Sequence, residues 1–175
     1  MSQNKLVANY SNAFLNLIEK NEYKSLEENL IVLDLVLQNS DVKSVINGLD
    51  DSRKKLEFIN SFINDDKKLS NFVSLLNCEN RLNILCDIVT YIIKFINNEN
   101  RNFEVKYASK LPIQNNDVKE LNELFSKKLD ANLAQVIEEN DLNGLKVSID
   151  DLNIAVKISM SDLKQRLKKH IFKNF

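Results

Sequence analysis

The side chains able to carry covalent or proton-transfer chemistry are few and scattered along the chain. His170 is the single histidine, and the two cysteines are Cys78 and Cys86. A thiol beside an imidazole is the smallest arrangement that supports nucleophilic catalysis, but neither cysteine stands in a local signature for it. Cys86 falls within the apolar period of its own helix, while His170 sits among Lys168, Lys169 and Lys173, where cations complement a helix end. Without a second cysteine pair the two thiols make neither a disulfide framework nor a zinc site, and they read as reduced intracellular thiols. Carboxylates come as sequence neighbours: Glu27 with Glu28, Asp65 with Asp66, Glu138 with Glu139, Asp150 with Asp151. Neighbours diverge around a helix and point to opposite sides of a strand, so these pairs read as caps, turns and solvated faces rather than acid–base couples. The run Lys164, Arg166, Lys168, Lys169 and Lys173, set against Asp162, has the charge to touch nucleic acid or an anionic lipid. A solvated helix face or an acidic protein partner suits so short a run better. No catalytic residues, no cofactor and no metal are expected.

The charge balance agrees with that reading. Twenty-four basic residues against 25 acidic ones leave a net charge of −1, which removes the electrostatic basis for general nucleic-acid binding. With 43% hydrophobic and 28% charged residues, the 175-residue chain can bury the core of one medium domain or two small ones. Two glycines and one proline are too few for Gly-rich phosphate loops, β-sandwiches or barrels, and ask instead for long helices. Met1 to Leu6 holds no apolar run of signal-peptide length. The strongest apolar stretch, Leu82 to Ile96, is broken by Asp87 and Lys94, so no membrane span is expected.

The elements that must position any site are mostly helical. Leu6, Tyr10, Ala13, Phe14, Leu17 and Ile18 recur at spacings of three and four and predict a first helix. A second carries Leu26, Leu30, Leu33, Val36 and Leu37 and ends at Asn39, Ser40 and Asp41; a short third follows over Val42, Val45 and Ile46, stopped by Gly48. Asp50, Asp51 and Ser52 can cap a fourth with Leu56, Ile59, Phe62 and Ile63. Asp65 and Asp66 precede a fifth with Leu69, Phe72, Val73, Leu75 and Leu76, and Leu82, Leu85, Val89, Ile92, Ile93 and Ile96 make the sixth. The polar stretch Asn97 to Asn100 interrupts this period, and a boundary is placed there, giving domains 1–101 and 102–175. Phe103, Val105 and Tyr107 then alternate as a strand; a helix spans Val118, Leu121, Leu124, Phe125 and Leu129; Leu133 to Ile137 reads as a short strand. Leu145, Val147 and Ile149 pair with Ile154, Val156 and Ile158 across a four-residue hairpin connection, and a last helix runs through Leu163, Leu167 and Ile171. The expected fold is mainly α: an N-terminal six-helix bundle followed by a small α+β domain with a β-hairpin. Tyr10 and Phe14 are by themselves ordinary core residues, although such a bundle is also a common host for an amphipathic helix bound in a groove.

Three segments carry a more specific likeness. Tyr10-Ser11-Asn12-Ala13-Phe14 is similar to a Tyr-Ala-x-Ala-Leu motif on helix one, with Ser11 and Phe14 as departures. Asn71-Phe72-Val73-Ser74-Leu75-Leu76, followed by Asn80-Arg81-Leu82 and Ile88, is similar to an Asn-Phe-Leu-x-Leu-Leu and Asn-x-Arg-Leu signature. Leu142-Asn143-Gly144-Leu145-Lys146-Val147 with Asp150-Asp151-Leu152 matches a divergent branch, Asn143-Gly144 standing for a Gly-Gly and Ser159-Met160-Ser161-Asp162 for an Asp-x-Ser. In these motifs, and in the order of its elements, the chain resembles the delta subunit family of bacterial-type ATP synthases, whose mitochondrial counterpart is the oligomycin-sensitivity-conferring protein.

The resemblance implies a non-catalytic stator subunit of a proton-translocating ATP synthase, on the cytoplasmic face of the bacterial inner membrane and attached to the membrane only through the complex. It implies that the helical domain binds the N-terminal segment of an alpha subunit and that the C-terminal domain binds the end of the peripheral-stalk b subunit. In the family the first groove lies between helices one and five. Carried over by position, Tyr10, Ala13 and Leu75 become candidate contacts, with Leu6, Phe14 and Leu17 as neighbours. A nucleic-acid or anionic-surface adaptor working through the basic C-terminal helix is the alternative, and a cysteine-dependent enzyme a third reading.

Overall fold

A computed structural model describes residues 3–48, 52–63, 66–110, 112, 115–141, 143–159 and 161, with the side chains of 45–48 also outside the described set. The expected last helix through Leu163, Leu167 and Ile171, the basic run from Lys164 to Lys173 and His170 therefore lie outside the described residues, as do Asp50, Asp51, Asp65, Leu142, Met160 and Asp162.

The chain divides into two compact units, Met1–Ile96 and Asn97–Phe175. The division falls five residues before the boundary placed at 101, because the sixth helix carries its apolar period only as far as Ile96 and finishes in polar residues.

The first unit holds α1 (Gln3–Leu15), α2 (Tyr23–Gln38), α3 (Ser40–Gly48), α4 (Ser52–Asn60), α5 (Lys67–Cys78) and α6 (Leu85–Glu99). The starts of α3 and α5 follow from short polar side chains that satisfy free backbone donors. Asn39 Oδ1 accepts from the Asp41 amide at 2.8 Å, and Asp66 Oδ1 accepts from the Leu69 amide at 3.0 Å. The apolar stripes of α1, α2, α4, α5 and α6 close on one core that includes Phe14, Leu30, Ile59, Val73 and Ile92. Each aliphatic side chain so buried contributes about 1.5–3 kcal/mol, which outweighs the weak helix propensity of the many asparagines.

The second unit is a four-stranded sheet with one described helix. β1 (Asn102–Ser109), α7 (Asn115–Leu129), β2 (Asn132–Glu139), β3 (Gly144–Ile149) and β4 (Ile154–Ser159) stand in the sheet order β2-β1-β3-β4. β1 and β2 run parallel, with Phe103 opposite Leu133, so α7 is their crossover. β3 and β4 form the antiparallel hairpin, with Val147 opposite Val156. Phe103, Val105 and Tyr107 meet Val118, Val147 and Ile149 in a separate core, with Leu121 and Phe125 packed against it. Among the described residues the molecule is thus mainly helical with a small sheet, and the α-helices number seven, the seventh belonging with the strands. The parallel pairing of β1 with β2 is an addition to the hairpin that the alternation predicts.

Candidate functional site

Helix α1 carries two apolar stripes. Val7, Ser11, Phe14 and, in the turn beyond the helix, Ile18 are buried. Leu6, Tyr10, Ala13 and Leu17 each stand one residue earlier, and one residue is about 100° around a helix. This second stripe therefore lies on the flank of the core-facing one. Leu6 and Tyr10 are half-buried against the core, Ala13 is exposed, and Leu17 is 68% exposed.

Helix α5 is built the same way. Leu69, Phe72, Val73 and Leu76 face the core, and Leu75 stands out from them at 51% exposure. Three contacts tie the two helices together in order. Lys68 Nζ donates to the Leu17 carbonyl at 3.2 Å, the Phe14 and Phe72 rings stack with centroids 4.5 Å apart, and Arg81 donates to the Tyr10 hydroxyl. Residue numbers fall along α1 as they rise along α5, so the helices are antiparallel, and Leu75 lies level with Tyr10 and Ser11. Two antiparallel helices turn matching flanks toward each other. The stripe from Leu6 to Leu17 and the flank bearing Lys68 and Leu75 consequently border the seam between α1 and α5, the candidate groove.

Of the residues singled out from the sequence, Tyr10, Ala13, Leu17, Leu75 and Leu6 belong to this border. Phe14 does not. At 1% exposure and stacked on Phe72, it is a core residue that holds α1 to α5 and offers no surface to a partner.

Polar groups mark the groove at either end. At the Leu17 end, both carboxylate oxygens of Glu22 accept from Lys68, at 2.6 and 2.8 Å, and the Lys68 ammonium holds the Glu22 carboxyl below its ordinary value. At the Tyr10 end the Arg81 guanidinium lies over the Tyr10 ring, 5.3 Å from its centroid. Arg81 is a residue to which the spacing argument assigned no role, and the signal for it was present. Asn80 follows Glu79, the C-terminal cap of α5, and takes the left-handed conformation at φ 54°, the amide of Asn80 bonding to Asn77 O at 3.0 Å and that of Arg81 to Leu76 O at 2.7 Å. This is the Schellman ending of a helix, and it turns the next residue back across the helix end.

Cys78 is exposed, and burial together with the nearby Asp34 carboxylate pushes the half-buried Cys86 thiol up, which disfavours the thiolate. Among the described residues no group of three His, Cys, Asp or Glu converges to hold a metal ion, and no helix is long and apolar enough to cross a membrane. In the second unit, Ile154, Val156 and Ile158 of the edge strand β4 share a face with Val147 and Ile149 yet stay 37–43% exposed.

Comparison with known proteins bears on both units. The family model for the ATP synthase delta (OSCP) subunit matches residues 6–171. ATP synthase subunit delta of Campylobacter concisus is 30% identical, covering 97% of this chain and 98% of that protein. The subunit of the same name from Campylobacter hominis is 26% identical over 99% of both. Among solved structures, a chain of the Toxoplasma gondii mitochondrial ATP synthase hexamer superposes with a TM-score of 0.69, covering 95% of this chain and 97% of that one; at 12% identity the likeness speaks for the fold. A family match spanning nearly the whole length, with relatives that agree end to end, places the chain in the ATP synthase delta (OSCP) subunit family.

Proposed function

We propose that the chain braces the catalytic head of a proton-translocating ATP synthase against the torque of its rotor. As a member of its family it is a non-catalytic subunit of the peripheral stalk. The first unit captures the N-terminal helix of an alpha subunit in the groove between α1 and α5. The second holds the end of the stalk b subunit, for which β4 offers the exposed Ile154, Val156 and Ile158. The complex so built stands on the cytoplasmic face of the bacterial inner membrane, with the chain attached only through its partners.

The observation that carries this reading is the second apolar stripe of α1. A helix that had finished folding with its own core would present polar residues one step away from Val7, Ser11 and Phe14. Instead Ala13 and Leu17, with Leu75 across the groove, remain accessible. An amphipathic helix laid there buries them, and the small Ala13 side chain permits close approach. A stator contact needs slow dissociation, which apolar burial in a groove supplies better than surface charge.

Calorimetric titration with a synthetic alpha-subunit N-terminal peptide tests the reading. Binding by the wild-type chain should change little between low and high salt. A steep fall with salt would instead mark counterion release and favour the anionic-surface adaptor. Ala13→Asp should weaken capture by several kcal/mol on an order-of-magnitude scale while leaving the bundle folded, since Ala13 is exposed in the free chain. Equal affinity for wild type and variant would remove Ala13 from the contact.

A further inference from the structure

The two ends of the groove differ in charge. Lys68 is neutralised by a bidentate contact with Glu22 and also donates to the Leu17 carbonyl. Arg81 is engaged otherwise: its guanidinium gives one hydrogen bond to the Tyr10 hydroxyl and lies over the Tyr10 ring, and among the described residues no carboxylate pairs with it. Capping does not occupy it either. The carbonyls of Leu76 and Asn77 at the end of α5 are already met by the backbone amides of Arg81 and Asn80. A guanidinium has five donors in a fixed fork, matched to a carboxylate, and most of that fork is unspent here.

Resting on the groove reading above, we infer that Arg81 sets the direction of the bound helix by pairing with one of its carboxylate side chains. Tyr10 and Leu17 are seven residues apart, about 10 Å along a helix axis, which is two turns of an occupant. An occupant with apolar side chains at i, i+3 or i+4, and i+7 fills that length, and an acidic residue near the end that lies beside Tyr10 meets Arg81. As the helix settles, water leaves the fork, and a charge-assisted pair in those drier surroundings strengthens. Laid the other way round, the same helix would bring its carboxylate to the Leu17 end, where the ammonium is already taken and Glu22 repels it. The occupant is therefore an amphipathic helix with an acidic residue close to one end of its apolar stripe. Tyr10 acts as a positioning residue that holds the fork in place.

The test is a double-mutant cycle by calorimetry on the full chain. One arm compares wild type with Arg81→Gln. The other replaces each Asp and Glu of the alpha-subunit N-terminal peptide, one at a time, by its amide. Arg81→Gln should lose roughly tenfold or more in affinity. One acidic position of the peptide should cost the wild type a similar factor and cost Arg81→Gln almost nothing, and a Lys at that position should restore binding to Arg81→Glu. A purely structural Arg81 would lower affinity for all peptides alike, without coupling to any position, and that result overturns the inference, as does equal binding by Arg81→Gln and wild type. Failure of the wild-type chain to bind the unmodified peptide is a different outcome, which removes the groove reading itself. Far-UV circular dichroism and melting report whether Arg81→Gln folds. If it does not, Arg81→Lys enters the cycle in its place, and absence of a coupled position there overturns the inference equally.

Discussion

Tyr10 and Arg81 are 71 positions apart in sequence, and their meeting depends on one backbone conformation at Asn80. Ser11, beside Tyr10, shows the opposite economy. Its hydroxyl is fully buried and has no hydrogen-bond partner, at a cost of about 1–3 kcal/mol. Ser11→Ala should accordingly raise the melting temperature by roughly 4 °C or more, since a helix also favours alanine. A lower melting temperature would mean that the hydroxyl has a role in the folded state. Glu22 gives a second test. Its carboxyl is held below the ordinary value of 4.5 by the Lys68 hydrogen bond first and the Glu19 amide second. A carboxyl lowered on folding adds stability that is complete above its unfolded value and is lost as the pH falls through the folded one. Glu22→Gln should therefore melt earlier than wild type at pH 7, by a small margin suited to an exposed pair, and the gap should close as the pH falls below the ordinary carboxylate range. A gap that persists in acid would show that the contact acts through packing rather than charge.

At the level of elements, what the sequence could show depended on how local the signal was. The first six helices were legible because each carries a 3.6-residue apolar period between polar caps such as Asn39 and Asp66. β1, β3 and β4 were legible from alternation. The partner of β2 was not, because alternation states which side chains face inward and says nothing of which strand lies alongside. β2 is an edge strand with Ile137 45% exposed, so even its alternation is weak. For the groove, spacing alone could not separate the two stripes of α1, since Phe14 and Ala13 are neighbours and only the packing of Phe14 on Phe72 decides which is core. Gly144 is where hairpin geometry constrains residue type most. A Cβ there would come 2.3 Å from the Ile158 carbonyl oxygen and 2.9 Å from the Ser159 Cα, and the residue has φ +156°. Gly144→Ala should destabilise the second unit by about 1–3 kcal/mol, read as an earlier denaturant midpoint. An unchanged midpoint would mean that β3 and β4 separate at this end without penalty.

On the scale of the whole molecule, two cores formed by different stretches of chain, one around Leu30 and Ile92 and the other around Val105 and Tyr107, argue for two separately folding units. A fragment of residues 1–99 should unfold cooperatively and hold the alpha-subunit peptide within about twofold of the full chain. A fragment that aggregates or melts without a transition would show that the second unit is needed for the first to fold. The chain passes from one to the other within α6, which ends at Glu99, and β1 begins soon after at Asn102. β1 is an inner strand, paired along its length with β2 on one side and, from Lys106 to Ser109, with β3 on the other. A pull along β1 from its Asn102 end would therefore load the β1–β2 ladder in shear over the full length of the strand. Many bonds must then yield together instead of peeling one after another, which is how a lap joint outlasts a zipper.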